Sequence, residues 1–197
     1  MISEFSFAIS IIALFISVLT FYYSRMKTGK VKMTKPTTIF FGPDGKNMEH
    51  FDHNKIFIRT LLYSTSDKGQ YIQNMYARLT RSESIQNFNV WVYGDNELLR
   101  GSGLFVDKAG ISSNHHFLLP KDGTSYNFLS GEYNLQIFVE TVDNASYKIF
   151  EQNLPLSTPL HKDLVDNRSG VYYDWEPNSK TYHAHLASKL PKPKYTY

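Results

Sequence analysis

The sequence predicts a mainly β chain, an antiparallel immunoglobulin-like β-sandwich carried on a single N-terminal transmembrane helix. Three observations lead to that class. An uncharged apolar run opens the 197-residue chain. Short segments rich in Val, Ile, Tyr and Phe then recur between turn-forming residues. No long stretch of helical periodicity interrupts them. Aromatic residues make up 15% of the chain, with 14 Tyr and 14 Phe, and such side chains favour a pleated, half-buried surface.

The anchor comes first. Between Glu4 and Arg25 lie 20 uncharged residues, FSFAISIIALFISVLTFYYS, which as a helix span about 30 Å, the thickness of a hydrocarbon core. Tyr22 and Tyr23 stand where an aromatic belt belongs, beside Arg25 and Lys27. A cleaved signal peptide needs a basic start and small residues at its end. This run starts with Glu4 and ends in Phe-Tyr-Tyr, so it reads as a retained anchor. Arg25, Lys27, Lys30, Lys32 and Lys35 follow the helix and no Lys or Arg precedes it. The positive-inside rule then places the soluble part in the cytoplasm, on a single-pass protein of the cell inner membrane. Within the helix, Ser6, Ser10, Ala13, Ser17, Thr20 and Ser24 recur at spacings of four and three. That stripe predicts close approach to a second copy or a partner helix within the membrane lipid. The competing reading has the hydroxyls bonding back onto their own helix.

Residues 1–24 are therefore read as the anchor, 25–36 as a basic juxtamembrane linker and 37–156 as the sandwich. Residues 157–188 read as an irregular C-terminal extension with a short helix around Pro159–Asp166, and 189–197 as a basic tail. The net charge of +3 conceals a split. Setting aside the eight Lys/Arg of the linker and tail, and Glu4, leaves 13 basic and 17 acidic residues in 36–188. A mildly acidic domain lacks the clustered cations that track phosphates, so no nucleic-acid partner is expected. The chain has no cysteine, which excludes disulfides, thiolate catalysis and cysteine-ligated zinc. No cofactor is expected.

The strands follow in order. Thr37–Phe41 runs into a Gly42-Pro43-Asp44-Gly45 turn, and Lys55–Ser64 is closed by Ser66-Asp67-Lys68-Gly69. Met75–Arg81 and Phe88–Tyr93 come next, and Gly94-Asp95-Asn96 turns the chain into Glu97–Arg100. Leu104–Val106 and His116–Leu119 are short, while Tyr133–Thr141 and Ser146–Leu154 form a hairpin about Val142-Asp143-Asn144-Ala145. Trp91 in mid-strand and Tyr133 at the opening of a late strand match the buried Trp and the tyrosine corner of immunoglobulin-like sandwiches.

Three constellations carry chemistry. Gly170–His185 is dense in Tyr, Trp and carboxylates, including Tyr173, Asp174, Trp175, Glu176 and Tyr182. Aromatic faces stack on ligands and carboxylates orient polar groups, so these residues are candidate ligand contacts. The spacing of Asp174 and Glu176 also raises a glycosidase pair. The loop around Asn114, His115 and His116 is the second candidate surface. Histidines at His50 and His53, at His115 and His116, and at His183 and His185 raise a metal reading, since His183 and His185 share one face of a strand.

The string Gly101-Ser102-Gly103-Leu104-Phe105-Val106-Asp107-Lys108-Ala109-Gly110, continuing to Asn114-His115-His116, resembles the catalytic-histidine segment of trypsin-like serine proteases. The resemblance implies His116 as general base. It covers about sixteen residues, lacks the Gly-x-Ser-Gly nucleophile segment, and only 81 residues follow His116, too few for a second barrel with an oxyanion hole. The strings QNFNVWVYG, GSGLF, NHHFLLPKDG and YYDWEPNSKTYH also resemble an uncharacterised family of small bacterial proteins with one N-terminal helix. That likeness implies the architecture and a bacterial origin, and no activity. The expected function is a non-enzymatic, membrane-tethered module that binds a protein or other ligand as part of a small membrane assembly. The alternative is a hydrolase, metal-dependent or a degenerate trypsin-like form.

Overall fold

The computed structural model describes residues 2–26, 28–44, 54–101, 103–143, 145–166 and 169–186. Helix α1 (Ile2–Phe21) continues into a wide π turn at Tyr22–Met26. Glu4–Ser24 is long and apolar enough to cross a membrane, with mean hydropathy 2.2 and none of it buried against the rest of the chain. The hydroxyl stripe is satisfied within the helix. Ser10, Ser17 and Thr20 donate to the carbonyls of Ser6, Ala13 and Ile16 at 2.8–2.9 Å.

Two antiparallel sheets follow. The larger contains β1 (Val31–Met33), β2 (Thr38–Pro43), β3 (Asn54–Ser64), β6 (Val90–Tyr93), β7 (Leu99–Arg100), β9 (Ile111–Leu118), β12 (Val171–Glu176) and β13 (Thr181–Leu186). Its order is β13-β12-β2-β3-β9-β6-β7, with β1 pairing β3 beyond the end of β2. The smaller contains β4 (Gln70–Arg81), β5 (Ser84–Phe88), β8 (Leu104–Val106), β10 (Gly131–Thr141) and β11 (Ser146–Leu156). Its order is β11-β10-β4-β5, with β8 pairing the start of β4. Helix α2 (Thr158–Asp166) joins β11 to β12.

The two inner faces make one core, because side chains alternate along every strand. Ile56, Ile58 and Leu62 of β3 meet Leu135, Ile137 and Val139 of β10, all buried. An aromatic cluster closes the end farthest from α1, where Phe41 stacks on Phe128 at 5.0 Å and meets Tyr133 and Tyr173 edge-on. There the Tyr133 hydroxyl donates to the Leu129 carbonyl at 2.6 Å.

Several expectations change. Residues 157–188 are not irregular: after α2, β12 and β13 extend the larger sheet from β2. The linker contributes β1, paired with the end of β3. Phe88–Tyr93 is two strands in different sheets, since the chain crosses the sandwich at Asn89. Trp91 is buried as expected, but on β6 of the larger sheet. Asn114–His116 is no loop; β9 runs from Ile111, and pairing with β3 and β6 overrides the weak strand preference of Ser-Ser-Asn-His-His. Strand β5 (SIQNF) carries little strand signal, because it is an edge strand with mostly exposed side chains. His50, His53, Asn144 and the tail at 189–197 lie outside the described residues.

Candidate functional site

A row of aromatic rings and imidazoles crosses the outer face of the larger sheet. Pairing aligns His185 of β13 with Tyr172 of β12, Tyr172 with Phe40 of β2, and Phe40 with Phe57 of β3. Phe57 then lies opposite His116 of β9, and His116 opposite Val92 of β6. Because residues directly opposite share a face, six strands contribute one side chain each to a single line. Ring centroids are 5.7 Å apart for Tyr172 and His185, 4.8 Å for Phe40 and Tyr172, and 4.9 Å for Phe57 and His116.

Phe40 lies flat in this row because two glycines leave it room. A Cβ on Gly170 would sit 2.2 Å from the Phe40 ring, and one on Gly42 would sit 2.6 Å from it. The ring is consequently only 9% exposed although it belongs to the outer face.

A polar row runs alongside. His183 lies opposite Asp174, and Asp174 accepts a hydrogen bond from Thr38 at 2.7 Å. Arg59 lies opposite Asn114 and donates to it at 2.9 Å and to Asp95 at 2.6 Å. The Arg59 hydrogen bond holds the Asp95 carboxyl below its ordinary pKa. His183 meets Glu176 at 2.8 Å, and His185 approaches Asp174 at 3.6 Å. The face thus combines an aromatic strip with a parallel line of carboxylates, imidazoles and one guanidinium. Such a surface can stack on a flat group and hydrogen-bond beside it.

The sequence candidates divide by strand alternation. Asn114, His116, Asp174, Glu176, His183 and His185 all lie on this outer face or its edge. His115, Tyr173 and Tyr182 do not. Tyr173 is buried against Phe41, and the buried Tyr182 donates its hydroxyl to the Pro36 carbonyl at 2.6 Å. Trp175 is half-buried, with the Lys35 ammonium 3.6 Å from its ring centroid and Tyr182 edge-on at 5.1 Å, so linker and core already occupy its surfaces. Phe40, Phe57, Arg59, Asp95 and Tyr172 were not singled out as site residues. Alternation in Lys55–Ser64 sets Phe57 and Arg59 opposite Ile56 and Ile58, but only the register shows what lies beside them.

His115 points into the core with no exposure. Its Nδ1 accepts a hydrogen bond from the Trp91 Nε1–H at 3.1 Å, which puts the imidazole proton on Nε2. Nε2 meets no partner among the described residues. Burial, helped by the charge of His116, lowers the His115 pKa to about 4. His116 falls to about 4 as well, through burial first and then the nearby Lys55 ammonium.

The hydrolase readings find few parts in this geometry. Among the described residues no hydroxyl or carboxylate is hydrogen-bonded to His116, whose ring instead lies against Phe57. His183 and His185 share the exposed face as strand periodicity requires, yet each pairs with a carboxylate of its own. Among the described residues no group of three or more His, Asp or Glu is placed to hold a metal ion.

No family model matches the chain. No curated protein matches it either. Among solved structures, a Bordetella pertussis protein assigned as ApaA is similar over 66% of this chain and 96% of its own length, at 9% identity and a TM-score of 0.35. A likeness of that size carries no argument about this chain.

Proposed function

We propose that this protein is a membrane-tethered, immunoglobulin-like recognition module. It binds a protein or other ligand with the outer face of its larger sheet, as part of a small membrane assembly. The observation that carries the reading is the register-aligned row from His185 to His116, with the polar line from His183 to Asp95 beside it. Two features support the immunoglobulin-like assignment. The order β2-β3-β9-β6 facing β11-β10-β4-β5 has the pattern of an A-B-E-D sheet on a G-F-C sheet, and Tyr133 makes the corner bond.

Tethering rests on α1. Its Phe, Ile and Leu side chains from Phe5 to Phe21 are exposed, Phe5 by 71%, and a bilayer removes that apolar surface from water. The basic residues after the helix support a cytoplasmic domain on an inner-membrane protein.

Photocrosslinking from native membranes tests recognition. A photoreactive residue placed at Asn114 or His185 should capture a partner, one at Gln136 on the outer face of the smaller sheet should not, and R59A/D174A should reduce the capture. Equal capture from both sheets, or capture untouched by R59A/D174A, would remove the outer face as the binding surface.

A further inference from the structure

The end of the sandwich nearest the anchor carries an apolar patch that the recognition face does not use. Tyr71 of β4 and Phe105 of β8 lie opposite each other on the outer face of the smaller sheet, with ring centroids 4.8 Å apart. They are 63% and 47% exposed, and Val142 in the β10–β11 turn is 60% exposed. Val142 donates its N–H to the Tyr71 carbonyl at 3.1 Å, so the three side chains belong to one structured corner. A shallow groove of about 370 Å³ runs between Tyr71, Gly103, Leu104, Phe105 and Val142.

The chain's path fixes how far this corner can lie from the anchor. Lys30 is tied to the β3–β4 turn at both backbone groups: its N–H donates to the Thr65 hydroxyl at 2.9 Å, and its carbonyl accepts from the Thr65 N–H at 3.0 Å. Gly29 packs so closely on Ser66 that a Cβ there would sit 2.6 Å from the Ser66 backbone and side chain. Only four peptide steps separate Met26, the last residue of the π turn, from Lys30, a reach of at most about 14 Å. The Phe105 ring packs on the same turn, for a Cβ on Gly69 would sit 2.5 Å from it. With α1 across a bilayer, Tyr22 and Tyr23 lie at headgroup level, and the headgroup layer adds roughly 5–7 Å outside the hydrocarbon. The patch is therefore tethered within reach of the depth where Tyr, Phe and Val side chains gain most from partial immersion.

Charge at this end agrees with that placement. Lys30, Lys32 and Lys68 are exposed there, while Lys108 and Asp67 pair at 2.8 Å. Asp107, which accepts from the Gly110 N–H, Glu140 and Asp143 are the carboxylates at this end. The exposed lysines are the groups that anionic headgroups would attract.

We infer that Tyr71, Phe105 and Val142 form a second membrane contact, a lipid-docking corner that seats the sandwich on the bilayer its own anchor spans. Docking rests on the anchoring reading, and it holds the larger sheet's outer face at a set height and tilt above the membrane.

The test uses the full chain in phosphatidylcholine/phosphatidylglycerol vesicles. The absence of native cysteine allows an environment-sensitive dye at F105C or V142C, with E83C as control. Glu83 lies in the β4–β5 turn, just past Arg81, and the ten residues of β4 from Tyr71 to Arg81 span roughly 34 Å. Headgroup-attached nitroxide should quench the F105C and V142C dyes several-fold more than the E83C dye, and Y71S should reduce that difference. Vesicle flotation is read on the same samples. If the chain floats but the three dyes quench alike, docking is overturned and the anchor stands. Oxidative self-crosslinking of F105C without lipid quenching makes the corner an interface between copies, which also overturns docking. Loss of flotation removes both the anchor and the docking that depends on it.

Discussion

Acidification should destabilise the domain through His115. The imidazole is fully buried and accepts the Trp91 N–H on Nδ1. A second ring proton would therefore displace a donor and place a charge in the core. Burial lowers the folded pKa to about 4 from 6.5, with Arg59 and His116 opposing protonation and Asp95 favouring it. The unfolded chain then binds more protons than the folded one between these two values. The stabilisation is complete above pH 6.5 and is lost as pH falls toward 4. Between about pH 7 and pH 4.5 the linkage amounts to about 2 kcal/mol for His115 alone. His116, half-buried and lowered in the same direction, adds a smaller loss in the same window. The assay is denaturant unfolding of the full chain in mild detergent at both pH values, followed by Trp fluorescence. H115F should be less stable at every pH, because the Trp91 N–H loses its acceptor, yet its loss on acidification should shrink by about 2 kcal/mol. W91F should keep the wild-type pH response, since burial is the main cause of the shift, and Trp175 still reports unfolding. An identical pH response in wild type and H115F would refute the reasoning. So would a His115 resonance that titrates near pH 6.5.

Other perturbations report on single contacts. Gly170→Ala should cost about 1–3 kcal/mol because its methyl would overlap the Phe40 ring; F40L should recover part of that loss in the double variant, measured by thermal unfolding. Tyr133→Phe should cost about 1–3 kcal/mol by removing the bond to the Leu129 carbonyl at 2.6 Å, and an unchanged midpoint would show that the corner adds nothing. In membranes, A13L/S17L should abolish anchor-mediated crosslinking. Unchanged crosslinking would leave the hydroxyl stripe with only its bonds to the helix's own carbonyls.

Architecture was largely legible because its signals are local. A 20-residue uncharged run and its basic flank identify a membrane-length helix whatever the rest of the chain does. Alternation in Lys55–Ser64 and Tyr133–Thr141 separates an inward from an outward face within each strand. The bond from Tyr133 to the Leu129 carbonyl is local as well, for it spans only four residues.

Errors gathered where pairing rather than propensity decides. Ile111–His115 is polar, and it is strand because β3 and β6 supply hydrogen bonds on both sides. Residues 171–186 offer aromatic and acidic residues that look like a surface from sequence. Once β12 docks on β2, Tyr173 and Tyr182 turn inward, while Tyr172, Asp174, His183 and His185 face out. The candidate face joins residues 40, 57, 116, 172 and 185, and no local pattern relates positions so far apart. By itself the sequence determined the helix, the strand-rich class and each strand's two faces, because those follow from side-chain periodicity over a few residues. Only the tertiary structure decided which strands are neighbours and in what register, because hydrogen bonds between distant segments set both.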